Sequence, residues 1–198
     1  MMRTEEFYGL ATITAKPGSA TILMEALSTL GPTCVLGCWM TEFGDANCIR
    51  VLSPAIEHET TFSETLRCRL PENHVAHMDT SLFRSLPFAP PPQAGSFGKL
   101  HEWRSYEFRP GALPDLMESW KPCFPPRAAM SPAVFALHAV SGNPNRVVHV
   151  WGYDDLDHRN MVRQRARAEG IWPAPGGAAR WLSQHSYLTL PASFSCIS

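Results

Sequence analysis

The sequence predicts an α+β fold made of two copies of one strand–helix–strand–strand–helix–strand unit. Two observations support this prediction. Lys-Pro-Gly at 16–18 and Arg-Pro-Gly at 109–111 are each followed by Leu-Met-Glu at the same spacing. Each tripeptide also follows a stretch in which bulky and polar residues alternate, at 6–15 and at 99–108. A repeat of about half the chain length indicates two copies of a unit that does not easily close its own core.

The first copy begins with the stretch 6–15, whose alternation is typical of a strand with two different faces. The Pro-Gly pair that follows ends this strand. Apolar residues then recur at helical spacing from Ala20 to Leu30, which predicts an amphipathic helix. Residues 34–43 and 46–53 are expected to form a hairpin that turns at Gly44-Asp45. A poor helix is expected at 55–69 and a weak strand at 76–84.

The second copy opens with the strand 99–108 and a helix from Leu113 that stops near Lys121. It stops there because the prolines that follow cannot continue a helix. A hairpin with a turn at Gly-Asn-Pro comes next, then a helix with acidic residues in its first turn, and a closing strand. We expect the hairpin at 133–141 and 145–153, the helix at 154–168 and the closing strand at 183–190. A semi-rigid proline-rich linker is expected between the two copies, at 87–95.

The bulk composition of the 198 residues excludes several classes of function. A net charge of -1 argues against nucleic acid or an anionic membrane as the partner, because both require a clustered positive field. The N-terminal residues contain no apolar core of signal-peptide length, and no stretch approaches a membrane span. The six cysteines form no CxxC pair, so we expect reduced, buried thiols in a cytoplasmic protein.

Sequence motifs for cofactors and metals are equally absent from the chain. No P-loop, GxGxxG or GxSxG occurs, so we expect no nucleotide cofactor and no serine hydrolase. His74 and His77 lie three residues apart in a loop, which we interpret as surface histidines and not as a metal site. The sequence therefore predicts no cofactor and no metal.

Polar and aromatic side chains share one face of two strands of the second copy. These side chains are Glu102, Arg104 and Tyr106 on one strand, and His149, Trp151 and Tyr153 on the other. One interpretation is a buried polar pair that braces the sheet, because an unpaired buried charge is costly. The other is a pocket in which Arg104 binds an anionic or carbonyl group and His149 moves a proton near neutral pH. The sequence leaves both open.

The second half resembles the NIPSNAP family, a branch of the dimeric α/β-barrel (ferredoxin-like) superfamily. The resemblance covers nearly all of 99–195. It rests on these residues: Glu-Trp-Arg-Ser-Tyr at 102–106, Arg-Pro-Gly at 109–111, Asn145 to Trp151 with Tyr153, Arg159, Arg163, Trp172 and Pro-Ala-Ser-Phe-Ser at 191–195. The first half looks like a degenerate copy, with Tyr8, Leu10 and Thr12 roughly where the glutamate, arginine and tyrosine would fall. It also has Ile-Arg-Val-Leu at 49–52 in place of Val-Val-His-Val.

The resemblance implies tandem ferredoxin-like repeats, 1–90 and 97–198, that form an internal pseudo-dimeric α/β barrel. It also implies one pocket, in the second repeat. The residues expected to act there are His149, Arg104 and Tyr106 in catalysis, and Glu102, Trp151, Tyr153, Arg159, Arg163 and Trp172 in substrate binding. We expect a monomeric pseudo-dimer or a homodimer whose partner is a small-molecule ligand.

Three functions remain open at the level of the sequence. The first is a cofactor-independent isomerase, lyase or monooxygenase acting on an apolar or aromatic small molecule. In it, His149 is the acid or base, and Arg104 with Tyr106 stabilises an enolate or oxyanion. The second is a non-catalytic module that binds a small molecule or another protein. The third is a haem protein with His149 or His138 as the axial ligand.

Overall fold

The structure is a computed structural model that describes residues 6–56, 59–176 and 180–198. Residue 1, where the first repeat is predicted to begin, lies outside the described residues. Residues 57–58, within the predicted first-repeat helix 55–69, also lie outside them.

The first repeat follows the predicted order of elements. Its elements are β1 (Phe7–Ala15), α1 (Ala20–Ser28), β2 (Gly37–Phe43), β3 (Cys48–Ile56), α2 (Glu59–Arg69) and β4 (Val75–Ser85). The hairpin between β2 and β3 turns at the expected place, where Gly44 has the positive φ of 123° that glycine accommodates easily. The weak strand expected at 76–84 is a full strand of 11 residues.

The second repeat has the same order with one additional helix. Its elements are β5 (Leu100–Phe108), α3 (Leu113–Trp120), α4 (Phe124–Ala128), β6 (Ala133–Ala139), β7 (Arg146–Tyr153), α5 (Leu156–Ala168) and β8 (Trp181–Pro191). The sequence does not predict α4. The prolines that follow α3 end that helix as expected. Two of them also occupy the first turn of α4, where a backbone N–H would have no partner within the helix.

The eight strands form one closed antiparallel barrel in the order β1-β3-β2-β8-β5-β7-β6-β4. Within each repeat the strands have the order of a ferredoxin-like sheet, and β2–β8 and β4–β6 pairing joins the two sheets. Each repeat therefore covers the open edges of the other, which removes the unpaired strand edges that promote aggregation. The predicted pseudo-dimeric α/β barrel is confirmed.

The side chains of β5 alternate between two environments. Trp103 belongs to the aromatic core inside the barrel, together with Trp39 and Phe135. Tyr106 points the other way and packs with Trp120 under the helices of the second repeat. A third core lies under the helices of the first repeat. The barrel interior and the two helix-covered outer faces are therefore three separate places where a pocket can form.

The proline-rich segment 87–95, predicted to be a semi-rigid linker, packs on the second repeat, because Phe88 lies against Phe124 with ring centroids 5.5 Å apart. The expectation of buried thiols needs correction. All six cysteines are free, but only Cys38 and Cys48 are buried, and Cys68 is exposed. Among the described residues, no helix has the length and apolar character needed to cross a membrane.

Candidate functional site

A cavity of about 210 Å³ lies between the sheet of the second repeat and its helices, and we call it the second-repeat pocket. Strands β5, β7 and β8 form its floor, and α4, α5 and the loop after α5 form its walls. Its polar and aromatic lining residues are Glu102, Arg104, Tyr106, Arg127, His149, Trp151, Arg163, Arg167, Trp172, Trp181 and Gln184.

Glu102 is the centre of an ion-pair network at this pocket. Its side chain is 1% exposed, and Oε1 lies 2.7 Å from Nη2 of Arg159 and 2.9 Å from Nη1 of Arg163. Nη1 of Arg104 is 3.4 Å from the same oxygen, and the Ser186 hydroxyl donates to it at 3.1 Å. A single carboxylate thus contacts three guanidinium groups.

Helix α5 brings two of these arginines to Glu102. Arg159 and Arg163 are four residues apart, so they lie on the same face of the helix. The Asp155 side chain accepts a hydrogen bond from the backbone N–H of His158 at 2.8 Å, which caps the first turn of α5. This cap fixes the start of the helix and hence the position of its arginines.

The pKa of Glu102 reflects this surplus of positive charge. Burial by itself raises the pKa, but the hydrogen bond from Arg159 and the charges of Arg163, Arg159 and Arg104 outweigh burial. The net effect lowers the pKa of Glu102 from 4.5 to about 2. Glu102 is therefore an anion at neutral pH and a weak base.

Arg127 is a further pocket cation that sequence reasoning missed. Its Nη1 donates to the Ser131 hydroxyl at 2.9 Å and its Nη2 donates to the Tyr153 hydroxyl at 2.7 Å. The Tyr153 hydroxyl in turn lies 3.4 Å from Glu102 Oε2, and the guanidinium lies 4.1 Å from the ring of Trp151. Its sequence signal is weak, because Arg127 follows a Phe-Pro-Pro stretch that is typical of a loop.

Positive charge therefore exceeds negative charge in the second-repeat pocket. Among the described residues, four arginines and one carboxylate line it. The Nε1–H of Trp181 and the Nε2 atom of His149, both on lining side chains, are buried and have no hydrogen-bond partner in this part of the chain. Unsatisfied buried donors are costly, and an anionic ligand supplies the acceptors that they lack.

The remaining walls of the pocket are aromatic. The Tyr106 ring stacks on Trp181 with centroids 5.0 Å apart, and Arg104 Nε donates to the Tyr106 hydroxyl at 3.0 Å. Trp172 packs against Trp151 with centroids 6.0 Å apart. Trp172 and Arg163 are only half-buried, so the pocket opens to solvent on their side. Two sides of the pocket are therefore formed by flat aromatic rings.

His149 lies on the floor of the pocket in a neutral form. Trp151 Nε1 donates to its Nδ1 at 2.6 Å. An indole N–H is only a donor, so Nδ1 must be the acceptor and the proton of the neutral ring is on Nε2. Burial and the positive charge of Arg104 hold the pKa of His149 well below its ordinary value of 6.5. The expectation that His149 exchanges a proton near neutral pH is therefore not supported.

The structure brings most of the predicted site residues together. Seven of the nine line the second-repeat pocket: Glu102, Arg104, Tyr106, His149, Trp151, Arg163 and Trp172. Arg159 contacts Glu102 from α5, and Tyr153 lies behind Glu102, where it connects that carboxylate to Arg127. The lining residues that sequence reasoning did not assign to the pocket are Arg127, Ala166, Arg167, Pro173, Trp181 and Gln184.

The equivalent site of the first repeat is filled with apolar side chains. Strands β1 and β5 have the same length and both end at the Pro-Gly signal, so Gly9, Ala11 and Ile13 correspond to Glu102, Arg104 and Tyr106. The expectation that Tyr8, Leu10 and Thr12 hold these positions is wrong by one residue. Because side chains alternate along a strand, these three lie on the opposite face of β1. Tyr8 and Leu10 belong to the core inside the barrel.

Phe62 of α2 occupies the space that a pocket would need in the first repeat. A Cβ atom on Gly9 would overlap the Phe62 ring, so the ring lies directly on the glycine. Ala11, Ile13 and Val51 pack in the same core. The first repeat has therefore lost the polar set and retains its scaffold.

The surroundings of His149 do not fit a haem. The rings of Tyr106 and Trp120 lie 5.2 and 4.9 Å from the imidazole between ring centroids, and Trp172 lies 5.8 Å away. These rings pack around the imidazole, and the 210 Å³ pocket that His149 lines is smaller than most pockets for drug-sized ligands. His138 on β6 lies outside the second-repeat pocket.

Comparison with known proteins agrees with this description. The family model for NIPSNAP matches residues 101–196. A NipSnap homologue from Dictyostelium discoideum is 26% identical over 151 residues, which cover 69% of this chain and 65% of that protein. The NipSnap homologue 3B of Mus musculus is 31% identical over 87 residues, 43% of this chain and 35% of that protein. The chain thus spans less than two thirds of either relative.

A solved structure shares the whole fold. It is a candidate monooxygenase from Fusobacterium nucleatum, with a TM-score of 0.68 at 10% identity, over 96% of this chain and 94% of that protein. The barrel and its two ferredoxin-like sheets thus define a protein of the dimeric α/β-barrel class, with both units in one chain. Residues 101–196 of the chain are similar to the NIPSNAP family.

Proposed function

We propose that the second-repeat pocket binds a small aromatic molecule with an acidic enol or phenol group and stabilises its anion. The observation that carries this proposal is the single carboxylate, Glu102, among the four arginines that line the pocket. Stabilising a bound anion lowers the pKa of the bound acid, since an opposite charge within hydrogen-bond reach favours the charged form. Deprotonation of such a molecule is the first step of cofactor-independent chemistry on it.

The roles of the side chains follow from their protonation states. Arg104, Arg127 and Arg163 supply positive charge, and the Tyr106 hydroxyl, which accepts from Arg104, is free to donate to the ligand oxygen. Glu102 and His149 are both weak bases at neutral pH. When these cations lower the pKa of the bound enol or phenol O–H below the ambient pH, that group loses its proton to the bulk solvent, and neither side chain has to retain the proton.

The structural neighbours agree with chemistry of this kind. The Fusobacterium protein is a candidate monooxygenase, and a protein described as anthrone oxidase-like has a TM-score of 0.60 over 96% of this chain at 10% identity. At this level of identity the neighbours share a fold. The proposal for this chain accordingly rests on its own arginines and aromatic walls.

A second function, non-catalytic binding of an organic anion, is favoured by one specific observation. The two pocket side chains that could serve as a base, Glu102 and His149, both have pKa values far below neutral. A module that only retains an anionic metabolite needs no base. The two functions differ in turnover and share the same binding chemistry.

The test uses a phenol whose anion absorbs at longer wavelength than its neutral form, such as 4-hydroxyacetophenone. Titration of this compound with and without the protein measures its pKa when bound. We expect the pKa to fall by about 1–3 units on binding. The Arg127→Gln variant should reduce this shift, whereas Arg165→Gln should not, because Arg165 is 67% exposed and pairs with Glu169 outside the pocket.

Each result of this titration is decisive. An unchanged or raised pKa of the bound phenol would show that the pocket does not stabilise anions. If Arg127→Gln does not change the lowered pKa of the bound phenol, the phenol binds at another place on the protein. Consumption of the phenol under air would establish catalysis, and a stable bound phenolate would favour the binding module.

A further inference from the structure

A second cavity, of about 340 Å³, lies inside the barrel at the end where β1 and β5 finish and β3 and β7 begin. We call it the barrel mouth. It is formed by both repeats and lies on the opposite face of β5 from the second-repeat pocket, because Ser105 and Glu107 point into it while Arg104 and Tyr106 point away. The proposed function makes no use of this cavity, and a ligand bound in it would be independent of that function.

Two arginines, one from each repeat, provide positive charge in the barrel mouth. Arg50 of β3 is 4% exposed, and its guanidinium lies 3.9 Å from the centroid of the Tyr187 ring. Its Nη1 donates to the Thr41 hydroxyl, and its Nη2 is 3.6 Å from Asp45 Oδ2. The last distance is long for a charge-assisted hydrogen bond, so the Arg50–Asp45 ion pair is loose.

Arg146 of β7 also has a loose ion pair. Its Nη1 lies 3.7 Å from Asp79 Oδ2, its guanidinium lies 5.2 Å from the Phe83 ring centroid, and its buried Nε–H has no partner among the described residues. Burial lowers the pKa of Arg146, and the charge of Arg50 acts in the same direction. The positive charge of each arginine thus makes burial of the other less favourable, and an anion bound in the barrel mouth offsets this repulsion.

The two aspartates of the barrel mouth lie nearer to solvent than its two arginines. The side chains of Arg50 and Arg146 are 5% and 25% exposed, whereas those of Asp45 and Asp79 are 60% and 53% exposed. Glu107 is half-buried and accepts from Asn143 Nδ2 at 2.9 Å, so a neutral partner satisfies one of its oxygens. The two arginines are therefore more buried than the two aspartates, and Glu107 is a third, half-buried carboxylate of the cavity.

We infer that the barrel mouth binds a small zwitterion of the amino-acid type, with its carboxylate between Arg50 and Arg146 and its ammonium group at Asp45 and Asp79. Guanidinium groups are the preferred protein partners of carboxylates. Leu10, Trp103 and Val148 supply an apolar wall for the carbon chain between the two charges. A ligand with negative charge at both ends would place one of them against the rim aspartates.

The test compares three five-carbon acids that differ only at the far end: 5-aminopentanoate, pentanoate and glutarate. Their affinities for the full chain are measured by calorimetry. We expect 5-aminopentanoate to bind about threefold more tightly than pentanoate, as befits a solvent-exposed ion pair, and glutarate to bind most weakly. The Arg50→Gln variant should weaken binding of 5-aminopentanoate about tenfold or more, whereas Arg69→Gln, on the exposed end of α2, should leave it unchanged.

A rim variant keeps the test informative if Arg50→Gln does not fold. Asp79→Asn alters an exposed side chain and should reduce the preference for 5-aminopentanoate over pentanoate, because only Asp45 then remains for the ammonium group, while it leaves pentanoate binding intact. Tighter binding of glutarate than of 5-aminopentanoate would overturn the inference. Failure of all three acids to bind, or binding that is insensitive to both Arg50→Gln and Asp79→Asn, would also overturn it.

Discussion

Among single residues, Glu102 connects the most charged groups of the second-repeat pocket, because one buried carboxylate contacts three guanidinium groups. Its folded-state pKa of about 2 lies below the ordinary value of 4.5. The stabilisation is therefore complete above pH 4.5 and is lost as the pH falls toward 2. A difference of this size corresponds to about 3 kcal/mol at neutral pH.

We predict that Glu102→Gln lowers the free energy of unfolding by about 3 kcal/mol at pH 7, and by less than half of that near pH 3. Urea unfolding of wild type and variant at the two pH values measures the change. The matched control is Glu118→Gln, on the exposed surface of α3. Equal losses at both pH values would contradict the low pKa of Glu102.

A second prediction at this scale concerns the protonation of His149. The hydrogen bond from Trp151 and the burial of the ring keep the imidazole neutral with its proton on Nε2. Nitrogen-15 NMR of the histidine side chains should therefore show this tautomer for His149, without titration, from pH 8 to pH 5. Titration of His149 near pH 6.5 would restore it as a candidate acid or base.

Strand alternation explains why the sequence predicted much of the site. Residues two apart on a strand share a face, so Glu102, Arg104 and Tyr106 could be grouped from their spacing alone. Arg127 could not be found in this way, because its position depends on a five-residue helix within a proline-rich stretch. The low pKa of His149 was equally hidden, since it depends on burial and on arginines from other elements.

Between elements, the contact of α2 with β1 shows how the first repeat closed its pocket. The Phe62 ring lies on Gly9, the position equivalent to Glu102. We predict that Gly9→Ala destabilises the protein by about 1–3 kcal/mol, the usual cost of overpacking. The free energy of unfolding from thermal or urea melts measures this.

A double-mutant cycle identifies the cause of that loss. Phe62→Ala removes the obstructing ring, so adding Gly9→Ala to that variant should cost much less than it does in the wild type. Additive effects of the two substitutions would mean that the Gly9 backbone, and not the Phe62 ring, sets the cost.

At the same scale, the sequence predicted the type and order of elements better than their contacts. The Pro-Gly repeats marked the ends of β1 and β5, and helical spacing marked α1 and α3. The strength of β4 was underestimated, because its pairing with β1 and β6 is a tertiary effect. The packing of Phe88 on Phe124 likewise has no local sequence signal.

For the whole molecule, barrel closure makes each repeat dependent on the other. The β2–β8 and β4–β6 pairings cross between repeats, so a separate second repeat exposes the edges of β6 and β8. We predict that residues 97–198 produced alone form a homodimer in which β6 of one copy pairs with β8 of the other. Analytical ultracentrifugation measures this, with the full chain as the reference. A folded, monomeric fragment would show that the repeats are independent domains.

The central claim, that the second-repeat pocket selects an anion, is tested most directly by calorimetry with benzoate and benzamide. The two molecules have nearly the same shape and differ in charge. We predict that benzoate binds at least about tenfold more tightly than benzamide, and that Arg163→Gln removes most of this preference while Arg165→Gln preserves it. Equal affinities for benzoate and benzamide, or a preference unaffected by Arg163→Gln, would contradict the claim.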